Sequence, residues 1–267
     1  MRKILLGSFL FGCLCFSTES ASAQIWKKVQ QKLENKVEQQ IDQALDGKAE
    51  TKAGDAEPTT LPNLEKTYSF LPGNTVFFRD NFENETFGRM PKKWKSSGGG
   101  SVEEAPGVPG KWLALAARTS YRLDSLLMLP ENFTLEFDLF TQSVEARDIG
   151  SMSFGFARDN ANRSYISDAY NDNAITSAQL HFHNKEVTNS SSDTKIYNPV
   201  KFPLNSYSNA TLHVSIAVEG EHMRIYINKA KLLDTRMFKR DAIRYFYLSA
   251  PFSYNADAQV FWQLCLG

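Results

Sequence analysis

The chain has 267 residues, with Lys+Arg and Asp+Glu both at 30. A balance this close to neutral leaves no basic footprint for nucleic acid. Of three cysteines, Cys13 and Cys15 lie in the first 23 residues and only Cys265 follows, so a disulfide framework is excluded and apolar burial must hold the core.

Met1, Arg2 and Lys3 form a short basic start, residues 4–16 an almost unbroken apolar run, and residues 17–23 a small polar stretch ending Ala21-Ser22-Ala23. This is the pattern of a secretory signal peptide, with cleavage expected before Gln24. The apolar run is too short to cross roughly 30 Å of hydrocarbon as a helix, so export is expected rather than anchoring. A rival cut at Leu10-Phe11-Gly12-Cys13 resembles a bacterial lipoprotein box; the bulky Phe11 and the short run before Cys13 count against it. The mature chain is expected in the periplasm, at the outer membrane or outside the cell.

Residues 24–46 contain no Pro and no Gly, and Ile25, Val29, Leu33, Val37, Ile41 and Leu45 recur at steps of four, which predicts an amphipathic helix. Steps of four overrun the 3.6-residue turn by about 40° each, so the stripe winds around the helix and long coiled-coil pairing is disfavoured. Lys27, Lys28 and Lys32 crowd its start and Glu38 and Asp42 its end, the reverse of what the helix dipole favours. Such a helix needs a surface: a partner, a membrane touched peripherally, its own domain, or an oligomer. Residues 47–74 read as a linker, rich in Gly, Ala, Thr, Glu and Pro.

Residues 75–267 are expected to fold as one unit. The clearest signal is 211–234, TLHVSIAVEGEHMRIYINKAKLLD, where Leu212, Val214, Ile216 and Val218 alternate with His213, Ser215 and Ala217. Gly220 turns the chain and Met223, Ile225 and Ile227 continue the rhythm, which predicts a long antiparallel hairpin with one buried face. Further strands are expected at 75–79, 101–104, 112–116, 120–123, 132–142, 150–158, 164–167, 178–184, 243–250 and 258–266, separated by turn chemistry. One-sided strands need a covering sheet, so the expected class is all-β, a two-sheet antiparallel sandwich.

Residues 76–94, VFFRDNFENETFGRMPKKW, carry Phe78, Asp80, Phe82, Gly88, Pro91 and Trp94; GVPGKWLAL (107–115), LPENFTLEFDL (129–139) and the hairpin follow in order. Together they resemble concanavalin-A-like domains, of the laminin-G or jelly-roll kind, in secreted Bacteroidetes-type envelope proteins, where such domains precede an outer-membrane-protein-A-like domain. The resemblance implies a jelly-roll sandwich in the cell envelope. The sequence ends at Gly267 without a peptidoglycan-binding domain, so cell-wall anchoring is not expected of it.

The resemblance also brings family 16 glycoside hydrolases into view, whose active strand presents three carboxylates at alternate positions. Glu136 and Asp138 share one strand face here, but Phe140 and Thr141 stand where the third is needed, so a polar outer face is expected and no catalytic residue is assigned. His181 and His183 share a face with no third ligand at a supporting spacing, so no transition-metal site is assigned. The oxygen-rich runs at Asp159, Asn160 and Asn162 and at Asp168, Asn171, Asp172 and Asn173 offer the hard donors calcium takes, and turn formation explains the same residues. Cys265 is expected to act as a small buried hydrophobe. The resemblance implies carbohydrate binding by a non-enzymatic module, with aromatic rings stacking on sugar faces; the alternatives are a jelly-roll glycoside hydrolase and a structural envelope protein oligomerising through the N-terminal helix. Tyr165, Tyr170, Asn171 and Asn173 are the site residues, with Tyr197, Tyr207, Asn198 and Asn205 nearby in sequence. The expected partner is a glycan or an envelope protein.

Overall fold

The computed structural model describes residues 68–265 apart from 126, 128, 172 and 173. The expected signal peptide (1–23), amphipathic helix (24–46) and most of the linker (47–74) lie outside the described residues, as does the side chain of Cys265.

Fourteen strands follow in chain order: β1 (Trp94–Ser96), β2 (Ser101–Glu104), β3 (Lys111–Ala114), β4 (Ser120–Leu123), β5 (Asn132–Gln142), β6 (Ser151–Ala157), β7 (Ala174–His181), β8 (Glu186–Ser191), β9 (Tyr197–Lys201), β10 (Ala210–Glu219), β11 (His222–Ile227), β12 (Ala230–Arg236), β13 (Tyr245–Ser249) and β14 (Gln259–Cys265). They form two seven-stranded sheets, ordered β1-β4-β13-β6-β7-β8-β9 and β12-β11-β10-β5-β14-β3-β2. The paired strands run antiparallel in both. The chain is therefore an all-β, two-sheet antiparallel sandwich of the jelly-roll kind.

The hairpin lies where its alternation puts it. Val214 pairs with Ile227 and Glu219 with His222, and Gly220 takes the turn at φ 57, a left-handed conformation that glycine adopts without steric cost. Leu212, Val214, Ile216 and Val218 are buried, as are Met223, Ile225 and Ile227. β5 is central in the same sheet, and its Phe133, Leu135, Phe137 and Leu139 face inward while Glu136 and Asp138 face out. Aromatic rings knit the layers: Phe137 meets Phe154 edge-on at 5.1 Å, and Trp262 lies 6.5 Å from Phe246.

Several strands differ from expectation. Residues 75–79 form no strand; the chain touches the sheet through an isolated bridge from Asp80 to Leu264. Residues 164–167 belong to a loop, β7 begins at Ala174 rather than 178, and β1, β8 and β9 were not expected. The physical reasons are local. β8 reads EVTNSS, whose buried side chains are mostly hydroxyl and amide, so it lacks an apolar alternation. β9 carries Pro199, which removes a ladder donor and is tolerated because β9 is an edge. Packing also starts upstream of residue 75. Phe70 is buried beside Ala217 and Tyr226, the Tyr68 ring meets Tyr226 edge-on at 5.4 Å, and Ser69 Oγ lies 3.1 Å from the Tyr226 hydroxyl.

Candidate functional site

Between β6 and β7, residues 158–171 cross the outer face of the first sheet. Small hydroxyl side chains let the backbone lie close. Ser120 Oγ accepts the Ile166 amide at 2.8 Å and touches Ser249 Oγ at 2.6 Å, and Gln179 Nε2 donates to the Ser167 carbonyl at 2.8 Å. Beneath the crossing Ile166 is buried with Tyr247, Ala157 and Ala174, an apolar patch that pins it.

This crossing separates the expected site residues. Tyr165 sits at its β13 side, where the hydroxyl donates to the Ala250 carbonyl at 2.9 Å and the ring packs 6.2 Å from Phe252. Burial pushes that hydroxyl up to about 12, against the lowering pull of Arg118. Tyr170 sits at the opposite side, against the β8–β9 hairpin. It is 58% exposed, its amide donates to Asp168 Oδ1 at 2.7 Å, and its hydroxyl reaches the Ser191 carbonyl at 3.4 Å. Lys195 Nζ lies 5.7 Å from its ring centroid. Asn171 donates from Nδ2 to Ser167 Oγ at 2.6 Å, while its buried Oδ1 has no partner among the described residues. Asn173 lies outside the described residues.

The same hairpin carries Tyr197, 68% exposed and paired with Ser190 across β8 and β9. The structure thus gathers Tyr170, Asn171 and Tyr197 around one hairpin and leaves Tyr165 out. The turn is braced from below. Arg158 Nη2 donates to Asp193 Oδ1 at 2.5 Å and the Lys239 amide to Oδ2 at 3.2 Å. Burial works to raise the Asp193 carboxyl, and these donors outweigh it, so the group is held below the usual range and stays ionised. Thr194 Oγ1 in the turn is buried without a partner among the described residues. Tyr207 is core: it is fully buried, stacks on Phe202 at 5.9 Å, and its hydroxyl accepts Asn228 Nδ2 at 2.6 Å.

The carboxylate pair on the second sheet has a partner that the sequence reading missed. Asp138 pairs with His213 across β5 and β10; His213 Nδ1 lies 2.7 Å from Asp138 Oδ1 and Nε2 3.1 Å from Glu136 Oε1. Burial alone would lower the imidazole's pKa, and the two carboxylates reverse that, raising it to about 9. At neutral pH the ring is a cation donating to both acids. Glu136 and Asp138 therefore sit as the two arms of one ion cluster, not as an open acid/base pair across a cleft. The hint in the sequence was the phase of His213, outward on the strand that registers with β5.

The other candidates resolve separately. His181 Nδ1 contacts Ser151 Oγ at 2.9 Å, and its ring lies 6.1 Å from that of His183; burial and the neighbouring imidazole hold it below its ordinary pKa. Among the described residues no group of three His, Cys, Asp or Glu is placed to hold a metal ion. At the first oxygen-rich run Arg122 Nη1 stands 3.4 Å from Asp159 Oδ1, and the Nδ2 groups of Asn160 and Asn162 donate to the Leu123 and Ser96 carbonyls. At the second, the Asp168 carboxylate accepts Tyr170 N and Ser167 Oγ, which is turn chemistry. Among the described residues no helix is long and apolar enough to cross a membrane.

No protein-family model matches the chain, and no curated protein matches it. Solved structures do. The carbohydrate-binding module CBM66 from Bacillus subtilis is 14% identical, with a TM-score of 0.43 over 67% of this chain and 96% of that one. The carbohydrate recognition domain of Emp47p is 13% identical, with a TM-score of 0.48 over 71% and 94%. The exoplasmic/lumenal domain of VIP36 in its Ca2+-bound form is 10% identical, with a TM-score of 0.45 over 66% and 84%.

Proposed function

We propose that this protein is an exported, non-enzymatic binding module that takes a glycan of the cell envelope on the outer face of its first sheet, at the β8–β9 hairpin. The observation that carries the reading is the pair of exposed tyrosines at one braced hairpin: Tyr197 on β9, and Tyr170 of the crossing segment, whose hydroxyl reaches the Ser191 carbonyl. Exposed aromatic rings cost solvation unless something covers them, and a sugar's apolar face is a fitting cover. Lys195 supplies a cation beside the Tyr170 ring. Export rests on the signal-peptide pattern of residues 1–23, and N-terminal sequencing of the secreted protein should begin at Gln24.

The test is a glycan array probed with residues 24–267 and with the Tyr170→Ala and Tyr197→Ala variants. A specific hit that each variant weakens supports the reading. An array without a hit, or a hit indifferent to both substitutions, removes it, and an envelope protein contacting the same rings then becomes the occupant to seek.

A further inference from the structure

A groove of about 400 Å³ lies on the outer face of the second sheet, between residues 69–77 and strands β5, β10 and β11. Its floor includes Ala217 and Tyr226, its wall is Phe70, Leu71 and Phe77, and Arg224 closes one end in an ion pair with Glu219. Two wall residues are open to solvent, Leu71 at 81% and Phe77 at 61%, and Val76 beside Phe77 in the chain is 56% exposed. With Tyr68, these are four of the ten exposed large hydrophobic side chains among the described residues, gathered within ten positions. Clustering of this kind marks a surface that something covers.

We propose that the cover is the chain's own upstream segment, residues 24–46, seated with one stretch of its winding apolar stripe in this groove. Three observations point there. The stripe Ile25, Val29, Leu33, Val37, Ile41 and Leu45 needs an apolar surface, and its winding argues against a coiled-coil mate. The chain emerges at the groove itself, and its continuation is already seated on the same sheet, with Phe70 buried and the Gly73 amide donating to Thr134 Oγ1 at 2.9 Å. Only 21 residues separate Asp46 from Tyr68, and a flexible connection of that length would span roughly 25 Å root-mean-square and hold the segment at an effective concentration on the order of millimolar, above that of a second copy in dilute solution. The docking is independent of the glycan reading, since the groove lies on the other sheet.

A photo-crosslinking amino acid at Val37 in the 24–267 protein tests this. The expected result is an intrachain crosslink in the monomer band, mapped by mass spectrometry to peptides containing residues 69–77 or 217–226. In the Leu71→Asp/Phe77→Asp variant, whose changed side chains are exposed and leave the core intact, its yield should fall about tenfold, the loss expected when roughly 1.4 kcal/mol of docking energy is removed. Crosslinks confined to a second copy, to added lipid vesicles or to other surfaces of the domain overturn the proposal, and so does a yield unchanged by the double substitution.

Discussion

Asp80 and Trp94 are joined across 14 residues by a hydrogen bond, the indole Nε1–H donating to Asp80 Oδ2 at 3.0 Å. The other carboxylate oxygen accepts the Phe82 amide at 3.3 Å, and the Asp80 backbone bridges to Leu264 in β14. Phe82 is fully buried, and Trp94 of β1 meets Trp262 of β14 edge-on at 4.4 Å. β1 belongs to the first sheet and β14 to the second, so the motif at residues 80–94 is a latch between layers. Its residue types follow from that duty: one carboxylate to satisfy a buried indole and a turn, two aromatics to fill the space between sheets.

The latch sets the first prediction. Asp80→Ala leaves the Trp94 indole N–H buried without an acceptor, which should cost about 1–3 kcal/mol. Asp80→Asn retains an acceptor oxygen and should cost less. Urea denaturation of both variants checks the order, and equal losses would show that the hydrogen bond is not what Asp80 supplies.

The second prediction concerns pH. The His213 pKa is raised from 6.5 to about 9 by Asp138 and Glu136, against burial. A group raised on folding contributes stability that is fully present below its unfolded value of 6.5 and lost as pH climbs through about 9. The urea midpoint should therefore fall across that window in the parent protein and less in His213→Gln. An NMR titration placing the imidazole near 6.5 would contradict the geometry.

The third concerns the turn of the long hairpin. Arg244 is buried, with its guanidinium 4.3 Å from the Phe238 ring centroid, Nη1 donating to the Glu131 carbonyl at 3.0 Å and Nη2 to the Gly220 carbonyl at 2.6 Å. Arg244→Met keeps bulk but strands both carbonyls, for an expected loss of about 2–4 kcal/mol. Arg244→Lys presents one ammonium in place of a fork and should recover only part of it. Thermal denaturation distinguishes the two, and full rescue by lysine would show that charge, not the fork, matters.

How far the sequence carried the fold depends on which faces of a strand are apolar. β5, β10 and β11 carry large apolar residues on their core face at every second position, so their period-two pattern was legible to the residue over 132–142 and 210–219. β8 was not, because Asn189 and Ser191 are buried toward the core and Thr188 and Ser190 are buried on the other side, a strand held by polar contacts. The arrangement of the site residues was not legible for a related reason. Tyr165 and Tyr170 are near neighbours in sequence, yet the crossing carries one toward β13 and the other toward β8 and β9 on the same outer face, and only Tyr170 meets the hairpin bearing Tyr197. His213 and Asp138 are 75 residues apart, and their contact follows from inter-strand register, which alternation alone does not set.

The upstream boundary gives a fourth prediction. Phe70 is buried against Tyr226, which a fragment starting at residue 75 would lose. Burial of a large apolar side chain contributes about 1.5–3 kcal/mol, so the 75–267 fragment should unfold at lower urea than 68–267. Coincident curves would mean that the lead-in residues rest on the sheet without stabilising it.

The three tyrosines supply the last prediction, because their surroundings predict opposite effects on binding and stability. Tyr165 keeps its hydroxyl on the Ala250 carbonyl and its ring against Phe252, so Tyr165→Phe should cost about 1 kcal/mol of stability and leave glycan affinity unchanged. Tyr170 and Tyr197 are exposed, so each alanine variant should leave the unfolding midpoint within about 0.5 kcal/mol of the parent. Their loss should instead appear in binding, at about 1–3 kcal/mol, or about 5-fold to more than 100-fold in affinity, if the rings stack on sugar. Calorimetric titration with an array hit, run beside denaturation of the same variants, reads both quantities. A Tyr165→Phe variant that weakens binding as much as the alanine variants would move the site to the other side of the crossing segment.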